Sequence, residues 1–241
     1  MSGRPERIQR ILLKISGESL SRRGELGIHP DEIATIAVQI KEVASEGVQI
    51  ALVVGGGNLM RGTVMAKAGV NRGTADNMGM LATAINCLAL QDSLEQIDLE
   101  TRAMSAVHMN SFMEPYVRRR ADRHLERGRI VLLACGTGNP YCTTDTAAAL
   151  RATELGVDAL LKATKVDGVY TADPDLDPSA TKLEHVTYLD ALNRDLRVMD
   201  LTAFTMCMEN DMPIMVFDLF EAGNLKRAVM GEDIGTWITK D

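Results

Sequence analysis

Val48-Gln-Ile-Ala-Leu-Val-Val54 runs straight into Gly55-Gly56-Gly57-Asn58. A short apolar run rich in β-branched residues and closed by glycine predicts a strand buried on both faces of a parallel sheet. Turns at the carboxyl ends of such strands are where α/β proteins bind ligands. Glycine lets backbone amides approach an anion closely, which suits phosphate oxygens. The design occurs twice more. Ile11-Leu-Leu-Lys-Ile-Ser-Gly17 precedes it, and Ile130-Val-Leu-Leu-Ala-Cys135 leads into Gly136-Thr-Gly-Asn-Pro140 further on. Three such turns on one sheet edge predict an α/β chain that handles a long, highly charged, phosphate-bearing ligand.

Outward from these turns, strand and helix patterns alternate. After the polar loop Ser21-Arg22-Arg23-Gly24-Glu25-Leu26-Gly27, Pro30 sits where a first helical turn tolerates it. Ile33, Ile36, Ala37, Ile40, Val43 and Ala44 then recur at helical spacing, and Gly47 ends the helix. Further strands are predicted over 99–104, 158–162 and 213–218, with an edge strand or hairpin at 235–239. The stretch 76–90 differs, because Met78, Met80, Leu81, Ala84, Ile85, Cys87, Leu88 and Leu90 spread around a helix instead of forming one stripe. A helix apolar on most sides is buried on most sides, inside one subunit or, the favoured reading, against a second copy. The Pro/Asp-rich segment Thr171-Ala-Asp-Pro-Asp-Leu-Asp-Pro178 is too short for an interdomain linker, so one domain over 1–241 is expected.

Bulk composition narrows the function. A net charge of −7 argues against a general nucleic-acid or anionic-membrane binder, so a polyphosphate must be met by a few placed cations, amides or a metal. Cys87, Cys135, Cys142 and Cys207 form no CxxC pair, and His29, His108, His124 and His185 show no metal-ligand spacing. A reduced protein without a resident metal is expected. The segment Met1-Ser-Gly-Arg-Pro-Glu-Arg7 lacks the apolar core of a signal peptide, and no apolar run approaches membrane-spanning length. A cytoplasmic location follows as the expectation.

Common nucleotide motifs are missing. Gly57-Asn-Leu-Met-Arg-Gly62 has Walker A glycine spacing but continues with Thr63-Val64, and neither glycine turn completes the dinucleotide fingerprint. Protein-kinase signatures are absent as well. Lys14, near the end of an apolar strand, must either snorkel to solvent or meet an anion at the sheet edge. Arg61, one turn after the triple glycine, would complete a phosphate cradle. Thr144 or Asp145 is a natural N-cap for the helix starting near Thr146. Asp145 either only caps, or also orients Lys14 and Lys162. Lys162-Ala-Thr-Lys-Val-Asp-Gly168 follows a strand that Val169-Tyr170 continue, and Asp167-Gly168 on its own reads as a turn. Arg118, Arg119, Arg120, Arg123 and Arg127 read as a solvated helix face.

Taken together, Lys14-Ile-Ser-Gly17-Glu18, Gly55-Gly-Gly-Asn-Leu-Met-Arg61-Gly62, Asp76-Asn-Met78-Gly79-Met80-Leu-Ala-Thr83, Gly136-Thr-Gly-Asn-Pro-Tyr-Cys-Thr-Thr-Asp145, Lys162 through Pro174, and Val198-Met-Asp-Leu201 resemble the bacterial type of uridylate kinase in the amino acid kinase family. The matches span nearly the whole chain in family order. The resemblance implies a three-layer α/β/α sandwich with a largely parallel central sheet, and a homohexamer built from dimers. It implies the reaction ATP + UMP → ADP + UDP, a step of pyrimidine nucleotide biosynthesis, with Mg2+ carried by the nucleotide. Lys14, Asp145, Lys162 and Arg61 would be catalytic. Lys14, Ile15, Ser16, Gly17, Gly57 and Arg61 would meet the ATP phosphates, with Thr164, Tyr170 and Asp173 at the adenosine end. Gly56, Asp76, Thr137, Gly138, Asn139, Pro140, Tyr141, Cys142, Thr143 and Thr144 would hold UMP, Asp76 on the ribose hydroxyls. The resemblance also implies an allosteric site with GTP as activator and UTP as inhibitor, but leucine replaces the aromatic residue that GTP-activated relatives carry in the loop ending at Gly27, and two arginines are added.

The chemistry expected of such a site needs no general base, because a nucleoside monophosphate oxygen is already ionised near neutral pH. What remains is positioning and charge neutralisation. Alternatives are a relative acting on a small carboxylate, and a non-catalytic nucleotide sensor on the same fold. Retention of Lys14, Asp145 and Lys162 disfavours the sensor. Asn139 and Thr144 are placed to face the donor and acceptor edge of uracil, with no carboxylate before Asp145 to accept from a cytosine amino group.

Overall fold

A computed structural model describes residues 3–22, 24–60, 62–172, 174, 176–177, 179–196 and 198–241. Its strands are β1 (Arg10–Ile15), β2 (Gln49–Val54), β3 (Thr101–Ser105), β4 (Glu114–Pro115), β5 (Ile130–Ala134), β6 (Ala159–Thr164), β7 (Val169–Tyr170), β8 (Lys182–Leu183), β9 (His185–Thr187), β10 (Ile214–Asp218) and β11 (Thr236–Thr239). The helices are α1 (Pro30–Ser45), α2 (Gly62–Lys67), α3 (Arg72–Glu95), α4 (Arg118–Leu125), α5 (Thr144–Leu155), α6 (Tyr188–Asn193), α7 (Leu201–Glu209) and α8 (Asn224–Val229). The main sheet runs β4-β3-β5-β2-β1-β6-β10-β11-β9. Every neighbouring pair is parallel except β10 with β11.

Strand alternation sorts the core into two layers. Ile11, Leu13 and Ile15 of β1, with Ile50, Leu52 and Val54 of β2, pack with α1, α3 and α8. Leu12, Ala51 and Val53 face the other way, toward α4, α5 and α7. Both faces of the central strands are therefore buried, as continuous apolar runs require. The three-layer sandwich expected from the sequence is the fold observed. Because its central strands are parallel, the turns after β1, β2, β5 and β6 share one edge.

Two local readings change, and one alternative is excluded. The segment at 235–239 is neither an edge strand nor part of a hairpin: β11 lies between β10 and β9, and all four of its residues are buried. The short β9 takes the edge beside it, so Trp237 and Ile238 each have a covered face to fill. Val169 and Tyr170 do not continue β6; they form β7, which pairs with β8 in a separate antiparallel ribbon. Of the two readings of α3, the helix internal to one subunit is the one excluded. Ala82, Ala84, Cys87, Leu90 and Leu94 are buried, whereas Leu81, Ile85 and Leu88 are 54%, 51% and 40% exposed along its outer face. Arg118, Arg119, Arg120, Arg123 and Arg127 are exposed, on and just after α4, as expected of a solvated face.

Candidate active site

The register of β1 and β6 places Lys14 directly beside Lys162. Both occupy the parity that faces α5, since Leu12 and Leu160 on the same strands pack into that layer. Asp145, in the first turn of α5, lies over the pair. Lys14 Nζ meets Asp145 Oδ1 at 2.6 Å, and Lys162 Nζ donates to Oδ2 at 2.7 Å. Lys162 also donates to the Val198 carbonyl. The three side chains are only 12%, 14% and 14% exposed, so none is a solvated surface charge.

Burial pushes the Asp145 pKa up, but the two ammonium groups outweigh it and hold the carboxylate below its ordinary value. For Lys162, burial dominates and lowers the pKa, with Asp145 offsetting it in part. Within this trio two positive charges meet one negative charge. Buried charge is costly unless paired, so the arrangement favours an anion arriving between the lysines.

The cap of α5 is Thr143, not Thr144 or Asp145: its backbone is extended and its hydroxyl accepts from the Thr146 amide at 3.1 Å. This leaves the Asp145 carboxylate to the lysines. A capping-only role for Asp145 is therefore excluded, and Lys14 meets a protein carboxylate instead of snorkelling. Asp200 ties the cap in place, accepting from the hydroxyls of Thr143 and Thr146 and from the Ala203 amide.

The glycine turns interlock beside the trio. The Gly55 amide donates to the Ile15 carbonyl at 2.9 Å. A Cβ on Gly17 would lie 2.5 Å from the Gly55 oxygen, and one on Gly56 would lie 2.8 Å from the Gly79 oxygen. Neither position has room for a side chain.

Two clefts open on this edge. The first is lined by Gly56, Gly57, Asp76, Thr137, Asn139, Cys142, Thr143 and Thr144, with Met60, Met80 and Thr83. Gly138, Pro140 and Tyr141 belong to the same turn without lining the cleft. Tyr141 is exposed, and its amide donates to Asp76 Oδ2 at 2.9 Å. The second cleft, of about 720 Å³, takes in Lys162, Thr164 and Tyr170 together with Val169, Leu196 and Val198. Tyr170 donates to Asp167, which also binds Lys182. Asp167-Gly168 is thus more than a turn, since a Cβ on Gly168 would lie 2.6 Å from Thr236 Oγ1. Asp145 sits between the clefts, next in sequence to Thr144 of one and bonded to Lys162 of the other. Arg61 and Asp173 lie outside the described residues, as does Arg23 of the loop ending at Gly27.

Sequence reading missed Arg72, which grips Asp76 through Nε at 3.0 and 2.9 Å and lies over the Tyr141 ring at 5.8 Å. The i,i+4 spacing of Arg72 and Asp76 was the available signal. It also missed Asp200, Asn58 and Asn86. A further hollow at the opposite sheet edge, lined by Arg4, Arg7, Gln49 and Trp237, contains none of the candidate residues. There Arg4 is already paired with Asp233.

This fold, with a lysine–aspartate–lysine trio at the carboxyl edge of its sheet, defines a phosphate-handling class. The chain belongs to the amino acid kinase family, whose model matches residues 9–218. Among solved structures it is similar to the UMP kinase of Bacillus anthracis, at 36% identity over 98% of each chain with a TM-score of 0.95. The UMP kinase of Ureaplasma parvum is 34% identical over 97% of this chain and 100% of that one, with a TM-score of 0.92. The uridylate kinase of Archaeoglobus fulgidus is 29% identical over 95% and 99%, with a TM-score of 0.74.

Proposed function

We propose that this chain is a UMP kinase that transfers the γ-phosphoryl group of ATP to UMP, giving ADP and UDP in pyrimidine nucleotide biosynthesis. The observation that carries the reading is the buried Lys14–Asp145–Lys162 trio set between two clefts. In this reading the cleft of Gly56, Asp76 and the turn from Thr137 to Thr144 takes UMP. The cleft of Thr164 and Tyr170 takes adenosine, with Asp173 beside it, and the amides of Ile15 through Gly17 and Gly57 face the ATP phosphates with Arg61. Lys14 and Lys162 neutralise the phosphoryl group in flight, and Asp145 holds both ammonium groups in place. Mg2+ carried by the nucleotide would supply further charge neutralisation on the phosphates.

The exposed Leu81, Ile85 and Leu88 support a subunit contact through α3, within a homohexamer of single-domain chains. No described helix is long and apolar enough to cross a membrane, and the proposed location is the cytoplasm. GTP is the proposed activator and UTP the proposed inhibitor, Arg22 adding positive charge to the loop that would respond. Rates measured with and without GTP at sub-saturating and saturating UMP would separate; superimposable curves would remove GTP from the account.

Substrate choice gives the sharper test. Uracil offers an acceptor at O4 and a donor at N3, and cytosine reverses both. A site built for one leaves buried polar groups unpaired against the other, which supports discrimination of roughly 10⁴-fold in kcat/KM. Assayed by coupled ADP release, UMP is expected to be turned over well and CMP and small carboxylates poorly. Equal efficiency with UMP and CMP would show that the Thr137–Thr144 turn does not read the base.

A further inference from the structure

Asn86 is fully buried in the middle of α3, where the neighbouring Cys87 and Leu90 belong to the apolar core. Asparagine is a poor helix former, and a buried amide is costly unless every polar atom is satisfied. Here it is satisfied by one partner set. Asn86 Nδ2 donates to the Gly55 carbonyl at 2.7 Å and to Asn58 Oδ1 at 2.7 Å. In return, Asn58 Nδ2 donates to Asn86 Oδ1 at 3.1 Å and to the Gly27 carbonyl at 2.8 Å. Asn58 is 1% exposed, and its own carbonyl accepts from the Gly27 amide at 2.9 Å.

This amide pair touches the segments that shape the glycine turns after β1 and β2. It holds the turn after β2 through Gly55 and the loop after β1 through Gly27. It also lies close against the Ser16-Gly17 turn, since a Cβ on Gly17 would lie 2.6 Å from Asn58 Oδ1. No peptide bond among the described residues is cis. In a trans peptide the carbonyl and the following N–H point to opposite sides. Anchoring the Gly55 carbonyl on Asn86 therefore turns the Gly56 N–H away from α3's buried amide. The same helix holds the turn after β5, where Thr83 Oγ1 accepts from the Cys135 amide at 2.8 Å.

We propose that Asn86, acting through Asn58 and the Gly55 carbonyl, is a positioning residue that sets the glycine turns for phosphoryl transfer. The proposal rests on the kinase reading above. It touches no substrate itself; it orients backbone that would.

The full-length chain tests this through Asn86→Ala, with kcat and KM for both nucleotides, thermal melting, and hydrogen exchange of the 53–60 segment by mass spectrometry. A misplacement on the scale of an ångström costs about 10²-fold in rate. The expected result is a fall in kcat of about that size with little change in KM, together with faster exchange in 53–60. A merely structural asparagine would lower the melting temperature and leave kcat per folded molecule and the exchange of that segment unchanged, which would overturn the proposal. Should Asn86→Ala fail to fold, Asn86→Ser, which keeps a donor in a smaller volume, is read by the same two criteria. Wild-type protein without UMP turnover would contradict the kinase reading, and the exchange measurement would then decide the anchoring by itself.

Discussion

Asp145 faces two buried ammonium groups at once, Lys14 at 2.6 Å and Lys162 at 2.7 Å. Asp145→Asn leaves the Thr143 cap untouched but removes the charge that pairs Lys14 and Lys162. Loss of one preorganised electrostatic group in a water-poor site costs about 10²–10³ in kcat. Turnover is expected to fall by at least that much with the circular dichroism spectrum retained; near-normal turnover would defeat the catalytic assignment. The same residue predicts a pH dependence. A carboxylate whose folded pKa is depressed adds stability that is present above its unfolded value of 3.8 and is lost as pH falls through the lower folded value. Chemical denaturation across that acidic window should show a shallower loss of stability in Asp145→Asn than in wild type. Lys14 and Asp145 were legible in the sequence because a charge beside an apolar strand or at a helix start asks for a partner. Asn86 was not legible, since a lone asparagine in a helix reads as an ordinary surface residue until its burial is known.

At the level of elements, the site depends on strand parity and one helix start. Lys14 and Lys162 meet because β1 and β6 are adjacent, parallel and in a register that pairs them. Sequence spacing gave each strand and its glycine turn, but adjacency of strands so far apart in the chain is a tertiary fact. For the same reason β11 read as an edge strand or hairpin, although β9 covers it. The α5 cap lies one or two residues before the expected Thr144 or Asp145, and type alone does not choose among them because Thr143, Thr144 and Asp145 are all good caps. What selects Thr143 is Asp200, a long-range partner. Thr143→Ala should therefore cost about 1 kcal/mol in stability and Thr143→Ser much less. Urea unfolding of the two variants gives the comparison, and equal losses would show that the hydroxyl is not the cap. Because Thr143 also lines the first cleft, the alanine variant is expected to raise KM for UMP.

For the whole molecule, the apolar stripe of Leu81, Ile85 and Leu88 is the feature the single chain leaves open. Scattered exposed apolar residues need no explanation, but three at helical spacing on one helix favour a partner surface. Ile85→Asp is expected to shift the sedimentation mass of the protein toward a single chain; a wild-type mass equal to one chain at micromolar concentration would reject the assembly. The proposed activity is phosphoryl transfer between the two clefts. The most direct measurement is phosphorus NMR of a mixture of ATP, Mg2+ and UMP, with the wild-type chain and with Asp145→Asn. Loss of the ATP γ resonance matched by growth of UDP resonances, fast with wild type and slowed by orders of magnitude in the variant, is the predicted result. ATP consumed to ADP and inorganic phosphate without UDP, or UDP formed equally fast by both proteins, would contradict it.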